Sequence, residues 1–115
     1  MEDNYRVIKI KTNSQNLYGW IALTNDDHPI GHVFMQVELN DKIKFMDAWV
    51  HEDYRRQGIF TALWDARWKF AKKVFPGSIA FAWCLPTSVN LYKKKGFTEG
   101  DPAIYMEKVI EDENS

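Results

Sequence analysis

The segment from Val50 to Leu63 constrains this chain most, because it has the pattern of a strand, a basic turn with one glycine and the start of a helix. The N–H groups in the first turn of a helix have no partner within the helix, and the helix dipole favours negative charge there. Gly58 lets a ligand approach the backbone closely, and Arg55 and Arg56 offer charge-assisted hydrogen bonds. The segment therefore predicts a turn that binds phosphate.

The length and charge of the chain narrow the function classes. Its 115 residues suffice for one core, so we expect a single domain over residues 1–110 and an acidic tail over 111–115. A net charge of −1 argues against a nucleic-acid binder that relies on charge. A single Cys suits a reducing compartment and hence the cytoplasm. No signal peptide is recognised, and no apolar run approaches the roughly 20 residues of a membrane helix.

Alternating and β-branched residues predict four strands in the first half of the chain. The turn Asn40-Asp41 between the last two tolerates the left-handed geometry of a tight hairpin. The predicted strands are Tyr5 to Lys11, Leu17 to Thr24, Ile30 to Leu39 and Lys42 to Val50.

The second half predicts two helices and two more strands. A helix from Gly58 to Pro76-Gly77 has one apolar face, formed by Ile59, Leu63, Ala66, Phe70 and Val74. The apolar run Ser78 to Cys84 is typical of a buried strand. A second helix opens at Pro86 and ends at Lys93 to Gly96, before a strand from Ala103 to Val109. A strand–helix–strand crossover is normally parallel, so we expect an α/β fold with a mixed, mostly antiparallel sheet and two main helices.

Two motifs resemble those of the GNAT acetyltransferase superfamily. Arg55-Arg56-Gln57-Gly58-Ile59-Phe60 is similar to the family's Arg/Gln-x-x-Gly-x-Gly/Ala motif, with Phe60 in place of the last small residue. Leu91-Tyr92-Lys93-Lys94-Lys95-Gly96-Phe97 matches a Leu-Tyr-x-x-x-Gly-Phe signature from a late helix of the family. With a last strand like Tyr105-Met106-Glu107-Lys108, the resemblance covers Leu17 to Val109.

The resemblance implies acetyl-CoA as co-substrate and a set of residues that bind it. The pantetheine arm is expected along the backbone of Trp49, Val50 and His51, where the strand splays from its neighbour. Leu85 replaces an Asn found in many members, and Asn90 is a candidate substitute. The pyrophosphate is expected at the turn, that is, at Arg55, Arg56, Gln57, Gly58, Ile59, Phe60 and Thr61.

The resemblance also assigns Tyr92 as the general acid that protonates the departing thiolate, against the alternative of a packing aromatic. For the general base, alternation places Asp47 on one face with Ile43 and Phe45, where desolvation would suit a base. His32 and His51 are rivals because histidine titrates near neutrality, and deprotonation through water needs no dedicated base.

Other reactive residues receive structural interpretations. The three His and Cys84 match no compact zinc pattern, so no metal site is predicted. Cys84 is interpreted as a packed thiol, because no base stands at a recognisable spacing. Trp64, Trp68 and Phe70 are expected in the core or at a dimer contact.

Together these features predict an N-acetyltransferase that acts directly on a primary amine. Only Thr12 to Asn16 separates the first two strands, where the family has one or two helices that shape the acceptor site. An open cleft would suit a protein or peptide amine, or a site completed by a homodimer, and a small amine remains an alternative acceptor. The rival hypotheses are a non-catalytic module that binds CoA or a protein partner and, less favoured, an acyl-CoA hydrolase or another acyltransferase.

Overall fold

The computed structural model describes residues 4–100 and 105–113 and contains seven strands and two α-helices. The helices are α1 (Ile59–Val74) and α2 (Val89–Lys94), with short 3-10 turns at Glu52–Tyr54 and Pro86–Ser88. The strands are β1 (Tyr5–Ile10), β2 (Leu17–Thr24), β3 (Pro29–Val37), β4 (Lys42–Val50), β5 (Ile79–Trp83), β6 (Thr98–Gly100) and β7 (Tyr105–Val109). Predicted strand residues 103–104 and the tail residues 114–115 lie outside the described part.

The seven strands form one sheet in the order β1-β2-β3-β4-β5-β7-β6. Only β4 and β5 are parallel, and α1 is their crossover, as the sequence predicted. Asn40 and Asp41 both adopt positive φ in the β3–β4 hairpin, which confirms the predicted left-handed turn. The prediction missed β6, because its three residues are too few to show an alternating pattern.

Both helices lie on the same face of the sheet. The Trp64 ring of α1 contacts Tyr92 of α2 at 5.2 Å between centroids, and both pack with Phe97 over the core. The predicted apolar face of α1 was partly wrong, since Val74 is 45% exposed and Arg67 is fully buried. Trp64 belongs to the core as expected. In the described residues, no helix is long and apolar enough to cross a membrane.

The opposite face of the sheet carries no described helix. The residues between β1 and β2 form turns and bends only, so nothing in that connection covers the sheet. Phe34 and Ile10 lie on this face, where their side chains crowd the space beside Gly19. His32 shares the face with Phe34 by the two-residue period of β3. We call this surface the helix-free face.

Two irregularities open the sheet at its centre. The parallel pairing of β4 and β5 ends at Lys44 and Phe81, so the later parts of both strands are not paired with each other. A β-bulge lies nearby, because Phe34 pairs with Met46 while His32 pairs with Trp49. Two residues of β4 therefore stand opposite one residue of β3, which bends β4 locally.

Candidate functional site

A cleft of about 350 Å³ lies between the end of β4 and the start of α1. It combines apolar walls with two arginines and the turn that precedes the helix. Its lining consists of Ala48, Trp49, Val50, Tyr54, Arg55, Arg56, Gly58, Ile59, Phe60 and Thr61. The segment that the sequence marked as a phosphate-binding turn thus forms one wall of a cavity.

The backbone at the start of α1 is open to a ligand. Gly58 is the N-cap with φ of 81°, and a Cβ placed on it would meet nothing within 4 Å. No side chain caps the helix N-terminus, so the amides of its first turn keep their donors for another acceptor. A left-handed cap that needs glycine and the open space beside it suit a bound phosphate.

Backbone contacts hold the turn in place before Gly58. His51 donates its N–H to the carbonyl of Ile30, and its Nδ1 accepts the N–H of Asp53 at 3.1 Å. Arg55 donates from Nε to the Val50 carbonyl at 3.2 Å. Since Arg55 is exposed and only its Nε is used in this bond, the two Nη groups point to no described acceptor and suit a ligand anion.

Most of the predicted cofactor residues line the cleft, and a few do not. Among the predicted residues, His51 and Gln57 fall outside the lining but belong to the turn next to it. Asn90 is exposed on α2 and does not line the cleft. The prediction missed Ala48 and Tyr54, which the lining includes; Tyr54 follows His51 in the 3-10 turn and contacts its ring.

Tyr92 is 7% exposed and lies under the aromatic layer between the helices. Burial raises the pKa of its hydroxyl above the ordinary value, while the positive charge of Arg67 opposes this effect and the nearby Cys84 adds to it. A phenol that stays protonated is suited to giving up a proton.

The geometric reason for choosing Asp47 as the base was wrong. Asp47 sits in the bulge with φ of 55°, and its side chain is exposed rather than aligned with buried Ile43 and Phe45. The alternation that grouped these residues breaks at the bulge, because an inserted residue shifts every later side chain by one position. Trp49 is likewise 39% exposed.

The bulge brings His32 into contact with the cofactor strand. The Nδ1 of His32 lies 2.6 Å from the carbonyl oxygen of Asp47. Its ring also contacts the rings of Trp49 and Phe34, each at 5.3 Å between centroids. No sequence pattern indicated this contact, because it depends on the register shift between β3 and β4.

The remaining reactive groups form no second centre in residues 4–100 and 105–113. No group of three or more His, Cys, Asp or Glu residues in that part could hold a metal ion. Cys84 is half-buried, and burial raises the pKa of its thiol, which disfavours the nucleophilic thiolate.

Comparison with known proteins identifies a family from the sequence. The profile of the acetyltransferase (GNAT) domain matches residues 15–99, which is most of the chain and includes both motifs. No curated protein matches the sequence closely enough to add to this assignment.

Solved structures of similar fold are GNAT proteins of low sequence identity. A Klebsiella pneumoniae protein assigned as an acyl-CoA N-acyltransferase has a TM-score of 0.74 at 12% identity, over 92% of this chain and 97% of its own. The ribosomal-protein-S18-alanine N-acetyltransferase of Escherichia coli has a TM-score of 0.68 at 19% identity, over 86% and 72%. The PaiA N-acetyltransferase of Thermoplasma acidophilum, solved with coenzyme A, has a TM-score of 0.66 at 19% identity, over 82% and 61%.

Proposed function

The chain belongs to the GNAT family of acetyltransferases, and we propose that it transfers the acetyl group of acetyl-CoA directly to a primary amine. The observation that carries the proposal is the cleft at the start of α1. It joins open backbone amides, two arginines and the free end of β4 in one cavity.

Neighbouring parts of the cleft suit the pyrophosphate and the pantetheine arm of acetyl-CoA. The first-turn amides of α1 with Arg55 and Arg56 would hold the pyrophosphate, since they combine backbone donors with positive charge. The end of β4 at Trp49 and Val50 would pair with the pantetheine arm, because β5 does not occupy that edge. When bound, acetyl-CoA supplies an activated acyl group as a thioester.

Tyr92 is the proposed acid in this reaction. It would protonate the sulfur that leaves, and its raised pKa keeps the hydroxyl protonated at neutral pH. The dense packing of Tyr92 against Trp64 and Phe97 fixes its ring, which favours a defined position for the hydroxyl.

We further propose that the acceptor is the amine of a protein or peptide. The helix-free face lies beside the cleft, and the short connection between β1 and β2 leaves it open to a large substrate. One GNAT protein of similar fold is named for acetylating an alanine of a ribosomal protein. A second copy of the chain that covers this face is the alternative, and sedimentation with and without substrate would distinguish the two.

Calorimetric titration with acetyl-CoA tests the proposed binding site. Gly58 and Gly77 have positive φ angles of 81° and 87°, and both have open space where a Cβ would lie. Only Gly58 lines the cleft. Alanine at either position should therefore cost a similar stability of about 1 kcal/mol. We expect Gly58→Ala to weaken acetyl-CoA binding by about tenfold or more, because a Cβ obstructs the turn, and Gly77→Ala to leave binding unchanged.

Release of CoA thiol in the presence of peptides with a free lysine or a free N-terminal alanine tests the catalytic part. Turnover that depends on the peptide supports the transferase. Binding of acetyl-CoA without release of thiol under any of these conditions would instead favour a non-catalytic CoA-binding module. Release that is independent of the peptide would favour a hydrolase.

A further inference from the structure

The contact between His32 and the bulge fixes the protonation pattern of its ring. A carbonyl oxygen can only accept a hydrogen bond, so the 2.6 Å contact with the Asp47 carbonyl requires a proton on Nδ1 of His32. In the neutral imidazole, the lone pair then lies on Nε2. An imidazole held through one nitrogen with the other free to accept a proton has the arrangement that a general base needs.

The position of His32 matches the proposed route of the acceptor. Its ring lies on the helix-free face and contacts Trp49, which lines the cofactor cleft. The carbonyl that anchors it belongs to the bulge, just past the point where β4 and β5 stop pairing. His32 is half-buried, so the ring is held in place while remaining accessible.

The two rivals lack these features. The Nδ1 of His51 accepts the N–H of Asp53, so its neutral ring carries the proton on Nε2 and has no free acceptor nitrogen. Asp47 is exposed at the bulge, and its backbone rather than its side chain makes the described contact. Building on the transferase function proposed above, we propose that His32 is the catalytic base that removes a proton from the acceptor amine.

In the proposed reaction, His32 and Tyr92 each handle one proton. The ammonium form of the acceptor gives one proton to Nε2 of His32, and its freed electron pair forms the N–C bond as the C–S bond breaks. The electron pair of the broken bond leaves on sulfur, which takes a proton from the Tyr92 hydroxyl. The second proton lost by nitrogen restores Tyr92, and His32 releases its proton to solvent.

Few charged groups face the His32 ring. They are Asp47 on β4 and, across Trp49, His51 in the turn that follows β4. On β2, uncharged Ile21 stands opposite His32. On β1, Lys9 is the cation nearest in register, but its Nζ lies over the rings of Tyr18 and Phe70. The next cation, Arg6, is paired with an aspartate of the β2–β3 turn. The acid limb of a pH profile can therefore be assigned by substituting His32, Asp47 and His51 one at a time.

The kinetic test uses substitutions that preserve the backbone contacts. In His32→Asn the amide N–H replaces Nδ1–H, so the anchor to Asp47 is kept while the base is removed. In His51→Asn the amide oxygen replaces the Nδ1 acceptor, so the cap on Asp53 is kept. Asp47→Asn tolerates the positive φ and removes the third candidate.

We expect His32→Asn to lower kcat/KM for a lysine peptide by about 100-fold at neutral pH and to remove the acid limb. The loss of kcat/KM in His32→Asn should be smaller at high pH, because the free amine of the peptide then forms without a base. Affinity for acetyl-CoA should stay within about twofold, a change of under 0.5 kcal/mol. Loss of the acid limb in His51→Asn or Asp47→Asn, with His32→Asn unaffected, would overturn the proposal.

Long-range ¹H–¹⁵N spectra of the imidazole rings give a test that does not depend on turnover. We expect the Nδ1–H tautomer for His32 and the Nε2–H tautomer for His51 in the neutral protein. An Nε2–H tautomer at His32 in an active enzyme would overturn the base role alone. The expected tautomers in a protein that transfers to no amine would overturn the transferase function and, with it, the base role.

Discussion

The Nη1 of Arg67 donates a hydrogen bond of 3.0 Å to the carbonyl oxygen of Phe34 from beneath the sheet. Phe34 borders the bulge in β4, so Arg67 of α1 contacts the backbone on one side of the bulge while His32 contacts the Asp47 carbonyl within it. The guanidinium is fully buried and stacks over the rings of Phe45 and Trp64 at 4.0 and 4.8 Å. Burial lowers the pKa of this guanidinium from its ordinary value to about 10.

Replacing Arg67 with methionine should change stability little. The variant loses the hydrogen bond to Phe34 and the interaction of the guanidinium with the Tyr92 hydroxyl, but it also removes a buried charge whose Nε and Nη2 make no direct hydrogen bond in the described residues. These effects oppose each other, so we expect a free energy of unfolding within about 1 kcal/mol of wild type. Arg67→Ala should cost about 3 kcal/mol because it leaves a cavity. Denaturant unfolding measures both, and an equal large loss would show that the hydrogen bond dominates.

Replacing Tyr92 with phenylalanine should remove an alkaline limb from the pH profile. An acid acts in its protonated form, and burial raises the pKa of Tyr92. The active form is therefore fully present below the ordinary phenol pKa of about 10 and is lost as the pH rises through the higher folded value. We expect kcat of wild type to fall only as the pH rises above the ordinary phenol value, and Tyr92→Phe to lose about 100-fold in kcat.

Steady-state kinetics at saturating acetyl-CoA would decide the role of Tyr92. Acetyl-CoA affinity should be retained in Tyr92→Phe, since the ring remains. If wild type and Tyr92→Phe have the same kcat and the same alkaline limb, Tyr92 is a packing residue and not the acid.

Replacing Gly31 with alanine should disturb the cofactor strand directly. A Cβ on Gly31 would lie 3.0 Å from the Trp49 carbonyl oxygen and 3.1 Å from Cδ1 of Leu63. Because backbone and packed core border it, we expect a loss of about 1–3 kcal/mol in the free energy of unfolding. Acetyl-CoA affinity should also fall, as titration calorimetry would measure. A loss of stability with unchanged affinity would show that the end of β4 does not bind the cofactor.

Replacing Phe60 with alanine should strengthen acetyl-CoA binding. Phe60 lines the cleft where the family motif has a small residue, and its ring packs at 6.0 Å from Trp64. The variant should lose about 1–2 kcal/mol of stability with this contact. Phe70→Ala is the matched control, because Phe70 packs on Tyr18 away from the cleft. Weaker binding in Phe60→Ala alone would mean that the ring contacts the cofactor.

The sequence predicted the larger elements well because their signals are local. The observed β2 and β4 have the predicted bounds, and both helices end before Gly77 and Gly96, as predicted. The third strand ends at Val37 rather than Leu39, which is 85% exposed. Arg67 was not anticipated in the core, since its charge hides the period of the buried face of α1.

By itself, the sequence determined the order of the elements, the parallel crossover and the turn at Gly58, because periodicity, caps and glycine geometry act over a few residues. The tertiary structure decided which groups meet at the cleft. The register shift between β3 and β4 exposes Asp47, brings His32 to its carbonyl and leaves the Phe34 carbonyl to Arg67. Such a shift depends on pairing between strands, and no single strand encodes it.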